Sequence, residues 1–261
     1  MAPAPLSIAA WNQLCLKSEG RDKLARFGQY AARFLVGLTS KARMGTNMRS
    51  VYEKALAVMV QLAGARRAHR WCKEFPVLQG IPKSLTIANP IDMVLEVCQK
   101  ATLATFMIID HIGYLKQVKI LKGGKRAGAG TIQLGLSWFA LSNFISLLIQ
   151  GKKLYKLANS EDGKKDADAK KTCIKQSFKH AALVVQMAHI SRRFETHDAV
   201  VGFLGMITSI QDVIPQWPQA PKEDKIDPDA KAMPKPKTAA PVSNGASSSK
   251  PEQDFIVVES K

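Results

Sequence analysis

The chain has 261 residues, with 38 Lys and Arg against 21 Asp and Glu for a formal charge of +17, and is 46% hydrophobic but only 7% aromatic. That composition excludes wholesale disorder and a collagen- or mucin-like chain, and the length suffices to bury a core. Cys15, Cys72, Cys98 and Cys173 are scattered without a CxxC pair, so no disulfide scaffold or zinc ribbon is expected and a reducing compartment fits.

The charge is unevenly placed. Residues 1–75 hold 13 basic and 4 acidic side chains, whereas residues 218–261 hold 7 of each. A polyanionic partner concentrated on the first quarter is implied, either nucleic acid or an anionic membrane surface. Met1–Ala10 has no basic residue ahead of its short apolar run, so no secretory leader is expected.

Helical spacing dominates, and strand alternation is scarce. A short helix is predicted from Leu6 to Leu16 with Ser7 as its cap, and Gly20 breaks the pattern before a longer helix over about 21–41. In that second helix Leu24, Phe27, Ala31, Phe34, Leu35 and Leu38 recur at three- and four-residue steps and cover an arc of about 100°. Arg26 and Arg33 lie opposite, with Arg21 and Lys23 towards the flanks, so the helix is amphipathic with a cationic polar face. Three readings of this face stay open: packing into a bundle with the charges solvated, lying on a membrane surface, or lying on a phosphate backbone.

A third helical stretch, about 49–74, sets Val51, Ala55, Met59 and Leu62 on a stripe and ends in a basic run, after which Pro76 and Pro82 mark a loop. Asn89-Pro90-Ile91-Asp92 is a helix start, with Asn as cap, Pro at the first helical position and Asp in the first turn. Beyond it Ile91, Val94, Cys98, Ala101, Thr105, Ile108, Ile112 and Leu115 follow a three-four repeat, a packing seam of coiled-coil type suited to self-association. Residues 123–130 are glycine-rich but lack a P-loop's Lys-Ser/Thr ending, and read as a hinge.

From Ala127 to Gly151 no charge occurs in 25 residues. Within it, 132–149 is about 27 Å long as a helix, close to the hydrocarbon thickness of a bilayer. Gln133, Ser137, Ser142, Asn143 and Ser146 argue instead for a buried bundle helix. A charged linker, 160–171, leads to an apolar stretch over 181–190, too short to span. The segment 199–217 is long enough, with Gly202, Gly205, Thr208 and Ser209 where helices approach closely and Trp217 as an interfacial anchor. Asp212 opposes a full span, since a carboxylate at depth costs about 3 kcal/mol or more unless it faces an interior. From Pro218 the chain offers almost nothing to bury and reads as a disordered tail.

No catalytic constellation is visible, and no metal site or cofactor fingerprint. Asp110-His111 and His197-Asp198 are adjacent pairs whose members point in different directions on a helix.

The run Gly20-Arg21-Asp22-Lys23-Leu24-Ala25-Arg26-Phe27-Gly28-Gln29-Tyr30-Ala31-Ala32-Arg33-Phe34-Leu35 resembles the N-terminal signature of the peroxin-eleven family of peroxisomal membrane proteins. Asp110-His111-Ile112-Gly113-Tyr114-Leu115 resembles that family's mid-chain segment, and Gly202-Phe203-Leu204-Gly205-Met206-Ile207-Thr208-Ser209 its C-terminal hydrophobic segment. The resemblance covers about residues 10–217 and not the tail.

It implies a non-enzymatic protein of the peroxisomal membrane, or of a specialised peroxisome such as a glycosome, that elongates the organelle and recruits division machinery. The expected architecture is all-α: a basic amphipathic region (1–75), a membrane-associated helical region with hydrophobic segments 132–149 and 199–217 giving one or two spans (76–217), and the tail (218–261). The expected membrane-binding residues are Arg21, Lys23, Leu24, Arg26, Phe27, Arg33, Phe34, Leu35 and Leu38, meeting anionic phospholipid. Ile91, Val94, Ile108, Ile112 and Leu115 are expected to form a homo-oligomer contact. A small-solute membrane channel is the alternative, and a basic helical nucleic-acid binder a more distant one.

Overall fold

The computed structural model describes residues 5–40, 46–122, 128–159 and 166–219. The tail beyond Gln219, the hinge at 123–127, and 160–165 of the charged linker lie outside the described residues.

Among the described residues there are eight α-helices: α1 (Ile8–Leu16), α2 (Ser18–Thr39), α3 (Thr46–His69), α4 (Glu74–Leu85), α5 (Pro90–Gln117), α6 (Gly128–Asn159), α7 (Ala167–Ile190) and α8 (Asp198–Val213), the last extended by a 3-10 turn, Ile214–Gln216. The expected helix starts are found. Ser7 accepts from the Ala10 amide at 3.2 Å, and the Asn89 side chain accepts from Ile91 and Asp92 with Pro90 at the first helical position.

Three expectations are corrected. The break between the first two helices falls at Lys17, and Gly20 sits inside α2, where a Cβ would run into the Leu14 carbonyl. The Pro76–Pro82 region is helix α4 rather than a loop. Pro76 falls in its first turn, where no intrahelical N–H bond is needed, and Pro82 is accommodated within it. The linker is shorter than expected, because Asp166 accepts from the Ala169 amide and caps α7 from Ala167 onwards.

The helices associate as neighbouring pairs: α3 on α2, α2 on α8, α8 on α7, α7 on α6, α6 on α5 and α5 on α4, with α3 also touching α5. Glycines allow the closest approaches. A Cβ at Gly113 would meet Ile132 Cγ1 at 2.6 Å and one at Gly128 the Gln117 amide nitrogen at 2.7 Å, so α5 and α6 touch nearly backbone to backbone. Phe106 of α5 stacks on Phe139 of α6, with ring centroids 4.5 Å apart. Tyr30, Met187 and Val201 form the central apolar cluster.

What the bundle buries is unusual in kind. Among the described residues 16 buried side chains are polar or charged against 13 apolar, while 34 large apolar side chains are exposed. In α6, Ser142, Asn143 and Ser146 are buried, whereas Leu141, Phe144 and Leu148 are exposed. The polar residues of 132–149 therefore belong to helix contacts: Gln99 donates to Ser142 Oγ at 3.2 Å, Ser142 donates back to the Gln99 carbonyl, and His180 pairs with Asn143 at 3.0 Å. Among the described residues two helical segments are long and apolar enough to cross a membrane, Gly128–Asn159 and Asp198–Gln216.

Candidate functional site

The amphipathic helix α2 carries the candidate surface, and its orientation follows from its pairing with α8. The two helices run antiparallel, with small residues at each crossing point. A Cβ on Gly37 would strike Ala199, one on Gly202 the backbone of Phe34, and one on Gly205 the ring of Tyr30. The approach brings the cationic side of α2 onto α8. Arg26 donates to Asp212 at 2.6 Å and to Thr208 Oγ1 at 2.9 Å, and Arg33 pairs with Asp198, which also meets His189 at 3.2 Å. Lys179 of α7 closes on the other Asp212 oxygen. The carboxylate that argued against a span in the sequence is thus an interior ion-pair acceptor, the condition under which such a group is tolerated.

Arg26 and Arg33, expected on a membrane-facing cationic surface, stand inside the helix contact, with 8% and 13% of their side chains exposed. Lys23 is half-buried among Glu19, Asp22 and Asp212, and Arg21 remains exposed. The apolar stripe takes the opposite, outer side. Phe27, Leu35 and Leu38 are exposed, and Leu24 and Phe34 are half-buried. Exposed Val200, Phe203, Ile210 and Ile214 continue this surface along α8, and Phe34 and Phe203 adjoin with ring centroids 6.4 Å apart. At one end Trp217 meets Trp11 edge to face at 5.2 Å, joining α1 to the end of α8.

Among the described residues the seam on α5 is left largely unpacked. Ile91, Val94, Ile108 and Ile112 are exposed and Leu115 is half-buried, because α5 turns Thr102, Phe106 and Gly113 towards its neighbours instead.

A second feature was not anticipated from sequence. The basic run closing α3 points inward. Arg66 donates to Asp22 at 3.2 Å and to Gln29 at 2.6 Å, Arg67 and Arg70 share Asp110 at 3.4 and 3.3 Å, and Lys73 pairs with Glu19. Burial alone would raise the Asp22 carboxyl, but Arg66, Lys23, Arg70 and Lys73 outweigh it and hold it below the usual carboxylate range. His111 lies against Trp71, with ring centroids 4.6 Å apart, and faces Glu74 at 3.7 Å. His197 accepts from the Ala199 amide at the start of α8. Both Asp-His neighbours therefore serve local packing, each member on separate partners. No group of three metal-ligating side chains occurs among the described residues.

The sequence model of one protein family, described as Peroxisomal biogenesis factor 11 (PEX11), matches residues 8–217, and the chain belongs to that family. No curated protein matches the chain, and no solved structure does. The family is one of peroxisome biogenesis factors of the peroxisomal membrane, concerned with peroxisome proliferation and not with a known enzymatic reaction.

Proposed function

We propose that this PEX11 chain elongates the peroxisomal membrane by seating the apolar outer side of α2, continued along α8, in the lipid, and that it does so as an assembly rather than one copy at a time. The supporting observation is the inverted polarity of the α2–α8 pair. Arg26, Arg33 and Asp212 are enclosed between the helices, while Phe27, Leu35, Leu38, Phe203 and Ile210 are outside. In water that arrangement sacrifices hydrophobic stabilisation, roughly 25 cal/mol for each Å² of apolar surface left wet. Against hydrocarbon it is the stable one, because the polar groups satisfy each other internally.

In this reading Arg26 and Arg33 hold α8 in place, and Arg21 is left to meet anionic headgroups, at about 1 kcal/mol for a cation near such a surface. Area added to one leaflet bends the membrane outward. Repetition along a tubule is supplied by the exposed α5 seam of Ile91, Val94, Ile108 and Ile112, through which copies associate and on which division machinery is then recruited.

The test uses full-length protein reconstituted on anionic liposomes, with tubule formation scored by electron microscopy. Replacing Phe27, Leu35 and Leu38 together by Asp removes the inserting surface without touching the α2–α8 contact. Tubulation is expected to fall at least tenfold while helicity is retained. Undiminished tubulation by a folded triple variant would overturn the proposal.

A further inference from the structure

Between α2, α3, α5, α6 and α7 lies a partly open pocket of about 250 Å³. Its wall has two chemically distinct parts. One is apolar, formed by Leu103, Phe106, Met107, Leu136, Phe139 and Met187. The other carries six cationic side chains, Lys23, Arg26, Arg66, Arg67, Arg70 and Lys73, against three carboxylates, Glu19, Asp22 and Asp110. Counting Asp212 and Lys179 just behind Arg26 leaves the excess of three positive charges unchanged. Arg70 marks the junction, since its guanidinium lies over the Phe106 ring at 5.5 Å while it pairs with Asp110.

Concentrating that much like charge around side chains that are mostly withdrawn from solvent, such as Arg26, Arg66, Arg67 and Arg70, is costly unless an anion compensates it. Burial first, and the neighbouring Arg70 next, pull the Arg66 guanidinium down to about 10, with Asp22 only partly offsetting them. The pairs to Asp110, at 3.3 and 3.4 Å, are also longer than the roughly 2.7–2.9 Å of a tight charged hydrogen bond, leaving donor capacity for another acceptor.

We infer that this pocket is a binding site for a single-chain anionic amphiphile, with a phosphate or carboxylate head held by Arg66, Arg67 and Arg70 and a hydrocarbon chain lying over Phe106 and Phe139. The volume lies just below the range of small-molecule pockets, about 300–1,000 Å³, and suits one short chain. The head is drawn by charge and the chain by apolar burial, so neither half alone accounts for the affinity. Because α3 and α5 supply facing walls, an occupied site ties the α2–α3 half of the bundle to the α5–α6–α7 half.

The experiment is calorimetric titration of full-length protein in non-ionic detergent with decyl phosphate, decanoate, inorganic phosphate and decanol, together with the thermal midpoint in each. Binding of decyl phosphate or decanoate at least tenfold tighter than inorganic phosphate and decanol supports the site, and the order of the two anions identifies the head. Arg66→Gln/Arg70→Gln should weaken the amphiphile at least tenfold, whereas Arg49→Gln, on the exposed start of α3, should leave it unchanged. The arginine pair supports the fold as well as the site, so Asp110→Asn gives an independent reading of opposite sign. It frees Arg67 and Arg70 and should tighten anion binding severalfold. Equal binding of decanol, inorganic phosphate as tight as decyl phosphate, or no response to Asp110→Asn in a folded protein would each overturn the inference.

Discussion

Asp212→Ala is the sharpest probe of how the bundle is held together. The carboxylate receives Arg26 at 2.6 Å and Lys179 on its other oxygen, with Lys23 at 4.0 Å, and only 11% of its side chain is exposed. Its removal deprives Arg26 and Lys179 of their shared carboxylate, leaving Arg26 its 2.9 Å hydrogen bond to Thr208 Oγ1 and Lys23 its longer contacts with Glu19 and Asp22. Deleting one partner of a buried pair costs about 3–5 kcal/mol, and the mutual repulsion of the remaining cations places this case in the upper part of that range. Arg26→Met is milder, about 1–3 kcal/mol, because Asp212 keeps Lys179. The double variant Arg26→Met/Asp212→Ala should fall short of the summed single losses by about 0.5–3 kcal/mol, the coupling of residues in contact. Unfolding is measured by far-UV ellipticity as SDS is titrated into non-ionic micelles carrying the protein. An Asp212→Ala variant within about 0.5 kcal/mol of the parent, or strict additivity in the double variant, would refute an interior Arg26–Asp212 pair.

The other expectations concern packing, pH and association. Gly205→Ala should destabilise the same unfolding transition by more than 1 kcal/mol or so, since its Cβ strikes the Tyr30 ring, whereas Gly64→Ala and Gly151→Ala meet nothing and should each add up to about 1 kcal/mol of helix stability. The Glu19 carboxyl is held below 4.5, first by the hydrogen bond from Lys73, and Asp22 below 3.8 by its surrounding cations. Carboxyls lowered by folding stabilise the protein above their ordinary pKa and lose that contribution as pH falls through the lowered values. A midpoint scan from pH 7 to 3 should therefore drop most steeply below about pH 4, and Asp22→Asn should lower the plateau and flatten the drop. Ile108→Asp should abolish cross-linked dimers of membrane-reconstituted protein. Intact dimers would remove α5 as the contact.

The elements were largely legible because their signals are local. Asn89 and Pro90 fix the start of α5 within four residues of chain, and the three-four repeat of Leu24, Phe27, Phe34, Leu35 and Leu38 fixes one face of α2. Pro82 misled because proline argues against a helix interior on average, whereas α4 continues through it. The partners of the charged side chains were not legible. Arg26 finds Asp212 at a sequence separation of 186, and Arg67 reaches Asp110 at a separation of 43. Nothing in periodicity specifies pairs across such distances.

The sense of the amphipathic helix was hidden for a related reason. A period of 3.6 locates the axis separating apolar from charged faces but says nothing about which face meets the surroundings, because that depends on whether the solvent is water or hydrocarbon. For α2 the deciding residues lie on another helix. Gly202 and Gly205 of α8 admit Phe34 and Tyr30 closely, and Asp198 and Asp212 stand one at each end to receive Arg33 and Arg26. Had α8 offered leucines at those four positions, Arg26 and Arg33 would have had no carboxylate on α8 to meet, and the apolar stripe of α2 would have been the better partner. The charge in the first quarter of the chain is therefore read through α8. Part of it organises the bundle interior, and in the function proposed above the apolar surface displaced to the outside is the one that meets the membrane.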